Sequence, residues 1–342
     1  MFIARGSAIS EMHFYFNKKN SLSQKNLAYF SYSREAILEI LEMNKICDGD
    51  EVLLPDYLCS TVIESILSVT SNIIFYKIND HLAYDNSEII GLLTDKTKLI
   101  FFVDYFGVET QLDQSIELIL KNKGIIIVKD SAHAFLSLVN RNFDNDYSYD
   151  YLISSVYKNL PCQVGAIAIG NFKERNDFIS FYMLIKRCAV LIIKNVIYIF
   201  GQQKFINKNL FDMSVSDSDV ANYSFGLNIA KLYKSMLHRL NLKKIIDEKK
   251  TLIVKFNSFF FDRPNLRPIF NREQMESSIL QDYPLLFPSQ ATRDEMLKLL
   301  LENSIDAYTW PTFHHINCDD VLWSKVLLVP INKKTLKVLK GV

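Results

Sequence analysis

Short apolar runs alternate with amphipathic stretches over the first half of the chain. Apolar runs occur at 51–54, 73–76, 99–103, 125–128, 151–156 and 165–169. The stretch 34–43 places Ile37, Leu38 and Leu41 on one face of a helix, and a second helix is predicted at 60–68. Strands that are apolar throughout are typical of parallel strands covered by helices on both faces. The pattern predicts an α/β fold with a mostly parallel central sheet flanked by helices.

The alternation of short apolar runs with amphipathic stretches ends in the second half of the chain. Residues 173–256 are predicted to be mostly helical. From residue 257 onwards, prolines interrupt short strand-like runs, with one helix predicted at 293–302. We therefore expect a large domain over 1–256 and a small C-terminal α+β lobe over 257–342.

Composition excludes several classes of protein. With 39 basic and 38 acidic residues among 342, and 49% hydrophobic residues, the chain is neither a disordered tail nor a nucleic-acid binder that relies on bulk charge. Its five cysteines form no C-x-x-C pair, so neither a disulfide nor a metal framework is predicted. Residues 1–10 do not resemble a signal peptide, and the apolar run 188–200 is too short to span a bilayer. We expect a cytoplasmic protein without a membrane or nucleic-acid partner.

Candidate chemistry lies at the ends of the predicted strands. Asp130 follows the run 125–128, at the carboxyl edge where α/β sheets bind ligands. Taken alone, an aspartate here is more typical of a helix cap. Lys158 follows the next run and Ser155, and a lysine at such an edge can act as a nucleophile when its amine is neutral. Ser33 is predicted to cap the helix 34–43, and a helix start of this kind can bind an anion.

Four segments carry a resemblance to a known family: GDEVLLPDYLCST, VDYFG, VKDSAHA and SSVYKNLP. They resemble the sugar aminotransferases of the DegT/StrS type, which are pyridoxal-phosphate enzymes of fold type I. The resemblance covers most of residues 30–170 and weakens towards the C-terminus.

The resemblance implies roles for individual residues. Lys158 matches the lysine that forms the Schiff base with the cofactor, and Asp130 matches the partner of the pyridine nitrogen. His133 matches a residue that contacts the phenolic oxygen or the ring. Many members place an aromatic residue over the ring where this chain has Cys59, with Tyr57 as the alternative alignment. The phosphate is expected at Ser33, Arg34 and Ser155, although Ser33-Arg34 replaces a common Gly-Thr.

The resemblance also implies a reaction. An amino acid, most often glutamate in this family, donates an amino group that is passed to a keto sugar, usually linked to a nucleotide, for amino-sugar or polysaccharide synthesis. A homodimer is implied, with residues 189–200 at the contact and 214–222 reaching the neighbour's phosphate.

Two other functions are compatible with the same fold. One is a pyridoxal-phosphate lyase or sugar dehydratase, against which Lys158 argues because related dehydratases tend to have histidine there. The other is a non-catalytic scaffold or regulator.

Overall fold

The computed structural model describes residues 27–143, 148–160, 165–172, 178–180, 226–228, 237, 240–263, 266–303, 305–310 and 321–341. Seven strands form the central sheet in the order β1-β7-β6-β5-β4-β2-β3. Strands β2 to β6 run parallel, whereas β7 is antiparallel to both of its neighbours. The strands are β1 Leu27–Phe30, β2 Glu51–Pro55, β3 Ile73–Tyr76, β4 Thr97–Val103, β5 Ile126–Asp130, β6 Tyr151–Ser155 and β7 Ala166–Ile169. The predicted mostly parallel sheet is confirmed.

Helices cover both faces of this sheet. They are α1 Ser33–Met43, α2 Ser60–Leu67, α3 Asn86–Leu92, α4 Gln114–Asn122 and α5 Phe135–Asn140. Alternate strand residues enter separate cores: Leu54 and Phe101 pack with the face that carries α1 and α2, while Leu53, Ile100 and Ile127 pack with the face that carries α3 and α4. Burial on both faces explains why the strands are apolar at nearly every position.

The start of α1 differs from the prediction in one respect. Ser33 is the first helical residue and not the cap, because Tyr32 takes the cap position with an extended backbone (φ −142°, ψ 153°). The carboxylate of Glu35 accepts hydrogen bonds from the backbone N–H groups of Ser31 (2.9 Å) and Tyr32 (3.4 Å), which fixes the entry to the helix. The Ser33 hydroxyl is therefore not used as a cap.

The C-terminal part contains an antiparallel three-stranded sheet, β10-β11-β12, surrounded by helices. Its elements are β10 Arg267–Pro268, α7 Arg272–Ser277, β11 Tyr283–Leu286, α8 Gln290–Glu302, α9 Val321–Lys325, β12 Val326–Val329 and α10 Lys333–Lys340, preceded by the long helix α6 Leu242–Phe260. The predicted small α+β lobe is confirmed as an architecture. Its boundary at residue 256 stays a prediction, and α6 continues four residues beyond it.

The predicted helical region 173–256 is only partly described. It contains two short strands, β8 Phe178–Ser180 and β9 Gly226–Asn228, which pair antiparallel and depart from the prediction of mostly helix. Residues 189–200 and 214–222, which the dimer prediction involves, lie outside the described residues. Of the helices in the described ranges, none combines the length and the apolarity that crossing a membrane requires.

A tight turn joins the lobe to the carboxyl edge of the large sheet. The turn is a short 3₁₀ helix, Tyr105–Gly107, in which Phe106 and Gly107 both have positive φ (57° and 101°). The carbonyl of Phe106 accepts a hydrogen bond from the backbone N–H of Gln281 at 2.8 Å. A Cβ atom at Gly107 would lie 2.7 Å from the carbonyl oxygen of Ile279, so only glycine permits this approach.

Candidate active site

The structure brings all seven predicted site residues into one cavity. The cavity lies at the carboxyl ends of three adjacent parallel strands, β4, β5 and β6, where Val103, Asp130 and Ser155 form part of its wall. This is the position where α/β sheets bind their ligands. The predicted residues that line it are Ser33, Arg34, Cys59, Asp130, His133, Ser155 and Lys158.

Asp130 is the last residue of β5 and is almost fully buried, with 7% of its surface exposed. It does not cap the following helix, because α5 begins at Phe135 after Ala134. Its Oδ1 accepts a hydrogen bond from the backbone N–H of Ala132 at 2.9 Å, and within the described ranges Oδ2 accepts none. Burial raises the pKa of Asp130, and the charge of Lys158 opposes this rise. The carboxylate is therefore suited to a cationic partner within the cavity.

Lys158 lies just beyond the end of β6, beside Asp130. Strands β5 and β6 are paired with Asp130 opposite Ile153, so their carboxyl ends meet at the same edge of the sheet. Lys158 is half-buried, and among the residues that the structure describes its amine forms neither a hydrogen bond nor a salt bridge. Its amine is consequently available to a molecule in the cavity.

His133 is buried and held in one orientation. Its ring stacks on that of Phe106 (centroids 5.7 Å apart, planes 8° apart), and its Nδ1 accepts the backbone N–H of Phe106 at 3.3 Å. Burial, and then the charge of Lys158, keep the pKa of His133 well below its usual value, so the ring is neutral. Because Nδ1 accepts a hydrogen bond, the proton resides on Nε2. His133 can therefore donate an N–H to an oxygen of a ligand.

The first turn of α1 and the end of β6 meet at a pair of serines. The hydroxyls of Ser33 and Ser155 lie 2.6 Å apart. The first N–H groups of an α-helix have no intrahelical acceptor, and they carry the positive end of the helix dipole. The guanidinium of Arg34 adds a positive charge, with its Cζ 4.6 Å from the centre of the Tyr32 ring. Hydroxyls, helix start and guanidinium together suit a phosphate group.

Of the two alternatives at the start of α2, Cys59 lines the cavity and Tyr57 does not. Cys59 is at the cap position of α2, and its Sγ lies 3.2 Å from the hydroxyl of Thr61. Tyr57 is buried behind the cavity wall, where its hydroxyl donates a hydrogen bond to the backbone carbonyl of Trp310.

A buried polar network fixes the loop after Asp130. The hydroxyl of Ser131 donates to Asp104 Oδ2 (2.6 Å), and the backbone N–H of Thr110 donates to Oδ1 (2.7 Å). Burial raises the pKa of Asp104 to about 6, although the nearby ammonium of Lys129 (3.7 Å) opposes this shift. This support was not predicted, because its members come from separate segments of the chain and the hydrogen bonds between them follow only from the fold.

Trp310 is a further wall residue that the sequence did not reveal. Its ring lies 5.0 Å from that of His133 in an edge-to-face arrangement. The segment that contains it is far from the other site residues in the chain, and no local pattern indicates that it reaches the cavity.

The fold and the position of the cavity define a class: the chain has the architecture of the fold type I aminotransferases. The model of the DegT/DnrJ/EryC1/StrS aminotransferase family matches residues 20–142. The family resemblance that the sequence motifs indicated is thereby confirmed.

Solved structures show the same fold over nearly the whole chain. A putative sugar aminotransferase from Streptococcus pneumoniae, in its PMP form, is similar with a TM-score of 0.66 and 15% identity, over 100% of this chain and 96% of that one. PseC from Helicobacter pylori, an aminotransferase involved in the biosynthesis of pseudoaminic acid, has a TM-score of 0.60 and 15% identity, covering 100% of both chains. NtdA from Bacillus subtilis with bound cofactor PMP has a TM-score of 0.63 and 16% identity, over 94% of this chain and 74% of that one.

Proposed function

We propose that the protein is a pyridoxal-phosphate-dependent aminotransferase that moves an amino group from glutamate to a nucleotide-linked keto sugar. The observation that carries this proposal is the placement of Asp130 and Lys158 at the carboxyl ends of two adjacent parallel strands, in one cavity. The product is an amino sugar for polysaccharide or related assembly. We place the enzyme in the cytoplasm and infer that it acts as a homodimer.

The chemical groups in the cavity fit pyridoxal phosphate. The carboxylate of Asp130 has an oxygen without a hydrogen bond from the described residues, which suits the protonated pyridine nitrogen. Lys158 offers an amine for the aldehyde carbon, and His133 offers its Nε2–H for the phenolic oxygen. Ser33, Ser155 and the first turn of α1 would hold the phosphate. When bound, pyridoxal phosphate supplies a ring that accepts electrons from the α-carbon of the substrate.

Asp130, Lys158 and His133 would each have a separate role in the reaction. Asp130 keeps a positive charge on the ring nitrogen by its own negative charge, in a buried setting where that interaction is strong. Once the donor has displaced it, the amine of Lys158 would be free to take a proton from the α-carbon of the donor and to deliver it to the former aldehyde carbon of the cofactor. His133 stays neutral and therefore acts as a hydrogen-bond donor and not as a competing acid.

The proposed acceptor is inferred from similar solved structures and not from the cavity itself. The putative sugar aminotransferase of S. pneumoniae and PseC have the same fold, which favours a keto sugar as acceptor. A lyase or dehydratase is disfavoured because Lys158 occupies the position that such relatives tend to fill with histidine.

A spectroscopic experiment tests this function. Protein loaded with pyridoxal phosphate should absorb visible light, and glutamate should bleach that band. Addition of dTDP-4-keto-6-deoxyglucose should restore the band, and mass spectrometry should detect the amino sugar. A lyase or dehydratase would release product without net amino transfer, and a scaffold would stay colourless with the cofactor present. Either of these results would contradict the proposal.

The phosphate site gives a prediction of its own. Ser33→Ala should weaken pyridoxal-phosphate binding by only about threefold, because backbone N–H groups at the helix start provide most of the binding. Ser33→Pro should weaken it more than about tenfold, because proline removes one N–H group and fixes φ. Fluorescence titration measures both affinities, and the far-ultraviolet circular dichroism of each variant checks that α1 is retained. Equal affinity in the wild type and Ser33→Pro would place the phosphate elsewhere.

A further inference from the structure

Trp310 is the one residue of the described cavity wall that follows Lys158 in the chain. The groups assigned to the cofactor above all belong to residues 33–158, at the edge of the large sheet. Trp310 instead lies in the C-terminal lobe, after α8, and its side chain is half-buried. The lobe thus contributes an aromatic ring to a cavity whose reactive groups come from the large domain.

Neighbouring rings hold this indole in place. It meets the rings of Tyr57, Tyr105, Phe106 and His133 at centroid distances of 5.0 to 6.2 Å, with planes 71° to 82° apart. Such edge-to-face contacts are favourable for aromatic pairs. The hydroxyl of Tyr57 also donates to the backbone carbonyl of Trp310. The indole is therefore fixed before any ligand arrives.

The segment that leads to Trp310 is fixed as well. Two residues earlier, the hydroxyl of Tyr308 donates to Asp282 Oδ2 at 2.8 Å and lies 3.2 Å from Nε2 of Gln281. The backbone of Tyr308 pairs with that of Leu328 in β12. The position of the indole is consequently set by the core of the lobe.

We propose that Trp310 determines acceptor specificity by packing its indole against the ring of the keto sugar. This inference rests on the function proposed above. A sugar ring has apolar C–H groups, and a fixed aromatic surface binds such a ring at little cost in conformational entropy. The indole contacts the ring of His133, so this surface lies beside the group assigned to the phenolic oxygen of the cofactor, where the acceptor must approach.

The first experiment separates the two reactants. Trp310→Ala and Trp310→Phe are compared with Phe259→Ala, which removes a half-buried aromatic ring of α6 that packs on Phe260 and Arg263. We expect Trp310→Ala to raise KM for dTDP-4-keto-6-deoxyglucose about tenfold or more. Trp310→Phe should bring this KM most of the way back to the wild-type value, because phenylalanine keeps an aromatic ring. The Kd for pyridoxal phosphate and the rate of bleaching by glutamate should change less than about twofold. Phe259→Ala should match the wild type.

Four other results would contradict either the role of Trp310 or the proposed function. An unchanged KM in Trp310→Ala overturns the inference and leaves the proposed function intact. A parallel loss of cofactor affinity and glutamate bleaching also overturns it, since the indole would then pack on the cofactor. If the wild type is bleached by glutamate but consumes neither this sugar nor any other nucleotide-linked keto sugar in a panel, the acceptor class is wrong and the inference falls with it. If glutamate causes no bleaching, the proposed function itself fails.

A second measurement does not depend on turnover. The chain has two tryptophans, so in a Trp323→Phe background Trp310 is the only indole fluorophore. In the same background with Lys158→Ala added, where amino transfer is blocked, the keto sugar should bind to protein loaded with pyridoxamine phosphate, change the intensity or wavelength of the Trp310 emission and protect it from quenching by acrylamide. Emission and acrylamide quenching that stay the same at saturating sugar would overturn the contact.

Discussion

Lys158→Ala should abolish transamination, with a loss of rate on the order of 10³-fold or more, and leave the fold intact. The expected loss is large because, in the proposed function, one amine both anchors the cofactor and transfers the proton. The fold should persist because the Lys158 side chain is half-buried at a cavity and forms no hydrogen bond or salt bridge to the residues that the structure describes. Bleaching by glutamate, followed with the substituted protein and added pyridoxal phosphate, measures the effect.

Chemical labelling tests whether Lys158 is the lysine that binds the cofactor covalently. Borohydride reduction of the loaded wild type, followed by peptide mapping, should place the pyridoxyl group on Lys158. Lys243→Ala is a matched control, because Lys243 is exposed on α6 and alanine favours a helix. Its activity and labelling should equal those of the wild type. A label on a different lysine would reject the assignment of the site.

Asp130→Asn should slow transamination on the order of a hundredfold, which corresponds to a barrier higher by about 3 kcal/mol. An amide cannot hold a proton on the pyridine nitrogen as a buried carboxylate does. Thermal unfolding should show no loss of stability. Burial raises the pKa of Asp130 in the folded state, so ionisation there costs stability at neutral pH, and a neutral amide avoids that cost.

A true helix cap provides the control for Asp130. Asp113 caps α4, where its carboxylate accepts the backbone N–H of Ser115 at 2.7 Å. Asp113→Asn should leave both turnover and stability near the wild-type values, because asparagine is an equally good cap. If Asp130→Asn behaved in the same way, Asp130 would have only a structural role in its loop.

The large sheet and its reactive edge could be predicted because their signals are local. Runs of apolar residues mark each parallel strand, and the residue that follows a run lies at the carboxyl edge, which brings Asp130 and Lys158 together. The pairing of β1 with β7 had no such signal. It depends on contact between residues 27–30 and 166–169, which no local pattern encodes.

The errors and omissions have physical causes of two kinds, one local and one non-local. Ser33 was predicted as a cap because serine is a common cap residue, yet Glu35 binds the backbone one turn earlier and moves the cap to Tyr32. The positive φ of Phe106 could not be predicted either, since it occurs in a turn that is hydrogen-bonded to Gln281 of the lobe. The first feature follows from a contact within a single helical turn, and the second from a contact between distant segments.

The Tyr105–Gly107 turn limits how this protein can be recombined with proteins of the same fold. The backbone N–H of Phe106 donates to Nδ1 of His133 and thereby selects the tautomer of that ring. The carbonyl of Phe106 accepts a hydrogen bond from Gln281, and the missing Cβ of Gly107 leaves room for the backbone of residues 279–281 in the lobe. Exchanging the lobe alone would therefore alter the hydrogen bonding of a buried imidazole in the other part of the protein. A functional chimera would need to inherit the turn together with the lobe, so the unit of exchange is not contiguous in sequence.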